Sequence, residues 1–350
     1  MSARISWKKA IAVISAAAVS GLVFGRVMPK NLISATAEEA AAPADLIKEY
    51  IGAYQAGTDL YTESLKVVDH LNTENDYNAA LNSVYDGLSS VQYSIVNDSD
   101  TVKEYKLYNS DNVHIANLRS VQQSDGTWAT ATIFNEQKDY TIEVPTGLSI
   151  TINGLDAGAH QTKTAVPADN YSGLSDTSSA PLVDVYEADG MISEPTVEVS
   201  GKSGYTTIKD VTSNTIYVGE DSASDTDLAN TLISDAKICA GWPAQDNGIG
   251  AVAAISITDS DFYQRVSGVQ NQWFTAHGTP AYSNEAALKI VKQSDDSLIA
   301  NVIFDYYASN GDVDRTWHCG YQMTMLNVGG TWKIAGFGVD STLNPNQKTY

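Results

Sequence analysis

The chain reads as an α+β protein: two helix-plus-antiparallel-sheet cone domains separated by a small all-β domain, behind one N-terminal transmembrane helix. Three observations predict this. Helical stretches followed by a run of strands occur twice, and each run contains a Gly-Thr-Trp turn, at residues 126–128 and again at 330–332. Between the two copies lies a stretch with no helical period, rich in Gly, Pro, Ser and Asp. A charge-free segment, Ala10 to Gly25, precedes everything.

The N-terminal 30 residues hold five of the 21 basic residues (Arg4, Lys8, Lys9, Arg26, Lys30) and no acid. The apolar segment behind Lys8 and Lys9 spans about 24 Å as a helix at ~1.5 Å per residue, and Val27 and Met28 extend it if Arg26 snorkels. Residues 1–9 then form a cytoplasmic tail, 10–28 the membrane anchor and 29–44 a stalk, with everything after Lys30 outside the cell. The competing reading is a signal peptide cleaved after Ala37, in Ala35-Thr36-Ala37, which makes the protein secreted. The long gap between apolar core and exit, carrying Arg26 and Lys30, favours the anchor.

After residue 30, 16 bases face 42 acids, a net charge of −26. That surface repels phosphate backbones, so no nucleic-acid partner is expected.

Residues 45–144 form the first cone-type domain. Leu46, Ile47, Tyr50, Tyr54, Leu60, Tyr61, Leu65 and Val68 predict a helix from Asp45, its N-cap, to about Leu71, with Gly57 as an interruption. A second helix fits 77–85 and ends near Gly87. Strands follow at 89–96, 102–108, 113–122, 127–134 and 139–144, joined by turns rich in Asn, Asp, Ser and Gly.

Residues 145–220 predict the all-β domain, with a hairpin turn at Asn153-Gly154 and a mobile loop over 171–180. The second cone occupies 225–342, leaving 343–350 as a tail. Leu228, Leu232, Ile233, Ala236, Cys239 and Ala240 mark one helix face, and 248–256 a second helix. Thr258 or Asp259 caps a third, running through Phe262, Val266 and Val269 to Trp273. Strands near 282–293, 297–308, 313–328 and 331–340 form an antiparallel meander.

Phe262 to Trp273, Ile303-Phe304-Asp305-Tyr306-Tyr307 and Gly330-Thr331-Trp332-Lys333-Ile334 give residues 228–340 a resemblance to the nuclear transport factor 2-like, or ketosteroid-isomerase-like, cone. Residues 45–144 resemble a diverged copy. The junction Val144 to Gly154 is similar to one in the extracytoplasmic part of bacterial teicoplanin-resistance-associated membrane proteins. The resemblance implies a role in the cell envelope, although the front of the chain lacks the Cys-x-x-Cys pair of their zinc ribbon.

Cys239 and Cys319 are the only cysteines. Both fall on faces that a cone turns toward each other, so a disulfide and two buried thiols are both open, with the disulfide favoured in an oxidising compartment. The aromatics expected between helices and sheet are Trp242, Trp273, Phe304, Tyr306, Trp317 and Tyr321. Trp242, Trp273, Tyr306, Trp317 and Tyr321 are the candidate ligand pocket, although such aromatics more often fill a core. Asp305 alternates away from Tyr306, and neither His277 nor His318 has an obvious acid partner. No catalytic residues, metal ligands or cofactors are expected, since the five histidines are scattered and no phosphate-binding glycine loop occurs.

The expected function is that of a non-enzymatic, membrane-anchored extracytoplasmic binding or scaffold protein of a bacterial cell envelope, contacting a wall component or envelope protein. The alternatives are a small-molecule enzyme with an isomerase-like site in the C-terminal cone, and a purely structural stalk.

Overall fold

The computed structural model describes residues 20–23, 43–269, 276–312 and 314–347. The chain is α+β and divides into two compact units at Gln137/Lys138.

In the first unit, α1 (Pro43–Gln55), α2 (Leu60–Ser64) and α3 (Glu74–Tyr85) precede β2 (Ser90–Asp98), β3 (Val102–Tyr108), β4 (His114–Gln122) and β5 (Trp128–Phe134). The single helix expected to Leu71 is two. Gly57 takes the left-handed conformation, φ +70°, after α1, and Asp59 restarts the chain by accepting the Thr62 N–H at 2.9 Å. Asp45 lies within the first turn of α1, behind Pro43, and is not its cap. Thr73 caps α3 by accepting from the Asp76 N–H. The strands form an antiparallel meander, β2-β3-β4-β5, and Tyr50, Tyr77 and Tyr85 of the helices are buried with Leu107 and Leu118 of the sheet.

Four residues of the expected transmembrane helix, Ser20–Val23, form instead a short strand, β1, antiparallel to β2. The open edge of β2 offers backbone groups for such pairing. The rest of the 10–28 segment lies outside the described residues, and among those described no helix is long and apolar enough to cross a membrane.

The second unit starts with β6 (Lys138–Pro145), the strand that the sequence pattern attached to the first domain. It belongs here because it pairs antiparallel with β10 (Leu182–Met191) and parallel with β13 (Thr215–Asp221). The other strands are β7 (Ile150–Ile152), β8 (Leu155–Asp156), β9 (Gln161–Pro167), β11 (Val197–Val199), β12 (Tyr205–Lys209), β14 (Ala281–Ser294), β15 (Ser297–Ser309), β16 (Asp314–Val328) and β17 (Thr331–Val339). Asn153 and Gly154, both at positive φ, turn β7 into β8 as their sequence predicts.

One sheet runs β17-β16-β15-β14-β13-β6-β10-β9, with β12 also paired to β13. The stretch expected as a separate β domain and the meander expected as a separate cone therefore share a sheet. They join through β13, whose Glu220 and Asp221 pair with Lys292 and Val291 of β14.

Helices α4 (Thr226–Ala244), α5 (Ile249–Ile255) and α6 (Asp261–Ser267) cover the inner face of the meander, a helix-then-sheet order compatible with a cone. Asp225 caps α4. Ser260, neither Thr258 nor Asp259, caps α6, because its hydroxyl accepts the Tyr263 N–H. Helix α6 stops at Ser267, and residues 270–275 are outside the described set.

Alternation along β15 sends Leu298, Ala300, Val302, Phe304 and Tyr306 into the helix-facing core with Leu232, Ala236, Met323 and Met325. The opposite face is covered too. Tyr171, in the stretch expected as a mobile loop, is fully buried and donates its hydroxyl to the carbonyls of Met325 (3.0 Å) and Leu298 (3.3 Å).

Candidate functional site

The C-terminal turn of α4 and the far end of β15 bring three polar side chains together. Gln245 ends α4 in the left-handed conformation, and the following Asp246 N–H bonds back to the Gly241 carbonyl. This reversal points Asp246 at the sheet. Tyr306 donates its hydroxyl to Asp246 Oδ2 at 2.8 Å, and His277 Nε2 lies 2.8 Å from Asp246 Oδ1 and 3.1 Å from the Tyr306 oxygen. The His277 and Asp246 side chains are 4 % and 14 % exposed, so both bonds are largely screened from water. Burial first, and then the Asp246 bond and charge, push the Tyr306 phenol up. His277 therefore has an acid partner, against the expectation that it lacks one. The two lie 31 positions apart, and no spacing pattern in the Gly- and Ser-containing chain between them announces the pair.

Of the five residues expected to line a pocket, Tyr306 belongs to this set and three others pack in the same core cluster. Tyr306 and Tyr321 are buried, Trp242 and Trp317 pack against the same core, and Trp273 lies outside the described residues. The Trp242 indole N–H donates to the Val266 carbonyl at 3.2 Å, and the Trp317 ring sits 5.6 Å from that of Tyr306. Tyr282 joins them edge-on to both Phe304 and Tyr306, 5.5 Å away in each case, beneath the Lys237 ammonium. The aromatics thus pack on one another and form core.

Cys239 and Cys319 join this cluster as free thiols, not as the expected disulfide. Cys319 Sγ instead donates to the Trp317 carbonyl at 3.6 Å, and burial pushes both thiols up. Asp235, one turn before Cys239, is also buried. Burial raises its carboxyl to about 6, with Lys333 pulling it partly back.

On the outer face, Asp305 points away from Tyr306 as its alternation predicts. It accepts from His318 Nδ1 (2.7 Å), Asn284 (2.6 Å), Asn344 (3.0 Å) and Asn346 (3.1 Å). His318 thus also has an acid partner. Burial alone would raise the Asp305 carboxyl, but these donors together hold it below the usual carboxylate range. The cluster pins the segment 340–347, whose residues 343–347 belong to the expected tail, across β15 and β16. Among the described residues no group of three His, Cys, Asp or Glu is placed to hold a metal ion.

No family model matches the chain, and no curated protein matches it. Among solved structures it is similar to an "Ntf2 like protein involved in plasmid conjugation", at 9% identity and a TM-score of 0.25, over 71% of this chain and 76% of that one. A likeness at that score carries no argument, so the α+β assignment rests on the strand register and helix packing of the chain itself.

Proposed function

We propose that the protein is a non-enzymatic binding or scaffold module of a bacterial cell envelope, working outside the cell. The observation that carries this reading is the filled interior of the C-terminal helix-and-sheet layer. Tyr306, Phe304, Tyr321 and Met323 are buried against one another, and the nearby Asp246 is spent on Tyr306 and His277. Binding then falls to outer surfaces. Their acidity fits partners that are not polyanions, such as a wall peptide or an envelope protein. The finer fold assignment, two nuclear transport factor 2-like cones arranged as in teicoplanin-resistance-associated proteins, belongs to the same proposal. The test is affinity capture from solubilised envelopes with the full chain as bait. Enrichment of a defined wall fragment or envelope protein over an acidic control protein is expected, and no enrichment overturns the reading.

One observation favours a second reading. A carboxylate, a phenol and an imidazole converge at Asp246, Tyr306 and His277, the group types of acid–base chemistry on a small molecule. Turnover of a carbonyl substrate that Tyr306→Phe and Asp246→Asn both abolish would replace the first reading with this one.

A further inference from the structure

The outer face of the second unit carries a polar row crossing four strands in register, Lys289 on β14, Asn301 on β15, Gln322 on β16 and Gly338 on β17. Asn301 and Gln322 are 8 % and 6 % exposed, and buried amides are costly unless bonded. The bonds of Gln322 fix its orientation. Its Nε2 donates to the Lys209 carbonyl at 2.8 Å, and its Oε1 accepts the Val211 N–H at 3.3 Å. Backbone groups cannot exchange donor for acceptor, so the Gln322 amide is not free to flip. Its remaining N–H donates to Asn301 Oδ1 at 3.1 Å, which fixes Asn301 in turn.

Asn301 must therefore present its NH₂ group away from Gln322, toward β14. The hydrogen bond of the Asn301 side chain is made by its oxygen, and its NH₂ side lines a groove of about 800 Å³ between the β12–β13 hairpin and the segment that follows β17. The volume is in the range of small-molecule sites. Across from Asn301, the Lys289 ammonium bonds only a neutral group, the Thr207 carbonyl, at 3.0 Å. Of the groove's carboxylates, Glu194 is paired with Lys209, while Asp210 and Asp340 keep their charge and accept from Thr212 and Tyr217 and from Thr342, none of them turned to Lys289.

An NH₂ donor opening onto the groove from an otherwise buried side chain, across from an ammonium without a carboxylate partner, is a receptor for an anionic acceptor oxygen. A chain carrying −26 beyond residue 30 repels polyanions, which favours a ligand whose own ammonium offsets its carboxylate. We propose that this groove binds the C-terminal carboxylate of a short peptide, with Asn301 Nδ2 and Lys289 Nζ as the receiving donors. The proposal rests on the binding reading above and names its ligand class.

The test titrates the full chain with Ala-Ala-Ala as the free acid, with its C-terminal amide, and with inorganic phosphate, following the Asn301 side-chain NH₂ resonances. The free acid is expected to move them and to bind about tenfold or more tightly than the amide. Lys289→Met should weaken free-acid binding about tenfold, while Lys289→Arg retains it. Asn301→Asp keeps an acceptor for Gln322, so the Val211 and Gln322 resonances stay in place, yet it should abolish binding. Equal binding of acid and amide, unmoved Asn301 resonances, or phosphate binding as well as the peptide acid would each overturn the proposal. Envelope capture and this titration fail separately. A positive titration with empty capture removes the envelope reading and leaves the site, and the reverse removes only the site.

Discussion

The Tyr306 hydroxyl and Asp246 Oδ2 stand 2.8 Å apart, one on the central strand of the meander and the other just past the end of the long helix that covers it. With His277 on the other oxygen, this one carboxylate ties helix, sheet and a connecting loop together. Tyr306→Phe removes the donor and leaves Asp246 bonded to His277 alone. A loss of about 1.5–3 kcal/mol in urea-unfolding stability is expected, the range for a hydrogen bond to a charged group. Unchanged stability would mean that the contact is idle in solution.

Glu143 on β6 is buried, and its two oxygens share the Asp169 N–H at 3.1 and 3.2 Å. Burial raises its carboxyl to about 7, against the pull of that N–H. A raised carboxyl pKa makes folding most favourable below the unfolded value, with stability lost as pH rises toward 7. Glu143→Gln, which keeps an acceptor for Asp169, should be more stable than the native chain at pH 8, by on the order of 2–3 kcal/mol. The gain should vanish at pH 4, and thermal melts at the two values read the difference.

The sign is opposite for Asp305. Its depressed carboxyl contributes stability that is present above the ordinary carboxylate value and lost as pH falls through the folded one. Asp305→Asn should free the segment 340–347 at neutral pH, seen as faster carboxypeptidase trimming and faster exchange of the Asp340 amide, which bonds the Gly320 carbonyl at 2.9 Å.

Gly320 sits beneath that same segment, where an added Cβ would collide with the Asp340 carbonyl oxygen and crowd Leu343. Gly320→Ala is expected to cost about 1–3 kcal/mol by overpacking and to release the segment as Asp305→Asn does. Slow, native-like trimming in this variant would show that the backbone approach is looser.

Cys239 and Cys319 should resist alkylation at pH 8 in the native protein and both react in urea, since burial disfavours each thiolate. Mass spectrometry counts the labels, and zero labels in unreduced, urea-unfolded protein would mean a disulfide.

Local chemistry was legible in the sequence. Alternation through Phe304, Asp305 and Tyr306 sorted inner from outer residues, and Asn153-Gly154 and Gly57 marked a hairpin and a helix break. What could not be read depends on distant partners. Tyr171 lies among Gly, Ser and Asp, yet it is buried by β15 and β16 residues more than a hundred positions away. Asp246 and His277 each sit in polar, turn-like stretches, and no spacing rule joins a helix cap to a loop. The β6–β13 pairing is parallel and non-local, so no hairpin turn announced it. The Asn301–Gln322 row depends on strand register, which no local pattern in β15 or β16 fixes.

The join at β13 also governs the order in which this protein can assemble. Thr215 pairs with Thr141, so β6 meets its antiparallel partner β10 first and waits for roughly seventy residues before its parallel partner β13 is synthesised. A chain emerging N-terminus first must hold the other edge of β6 open across the interval. Truncation before residue 215 would leave that edge open permanently, and the half-sheet left behind would offer it to other chains.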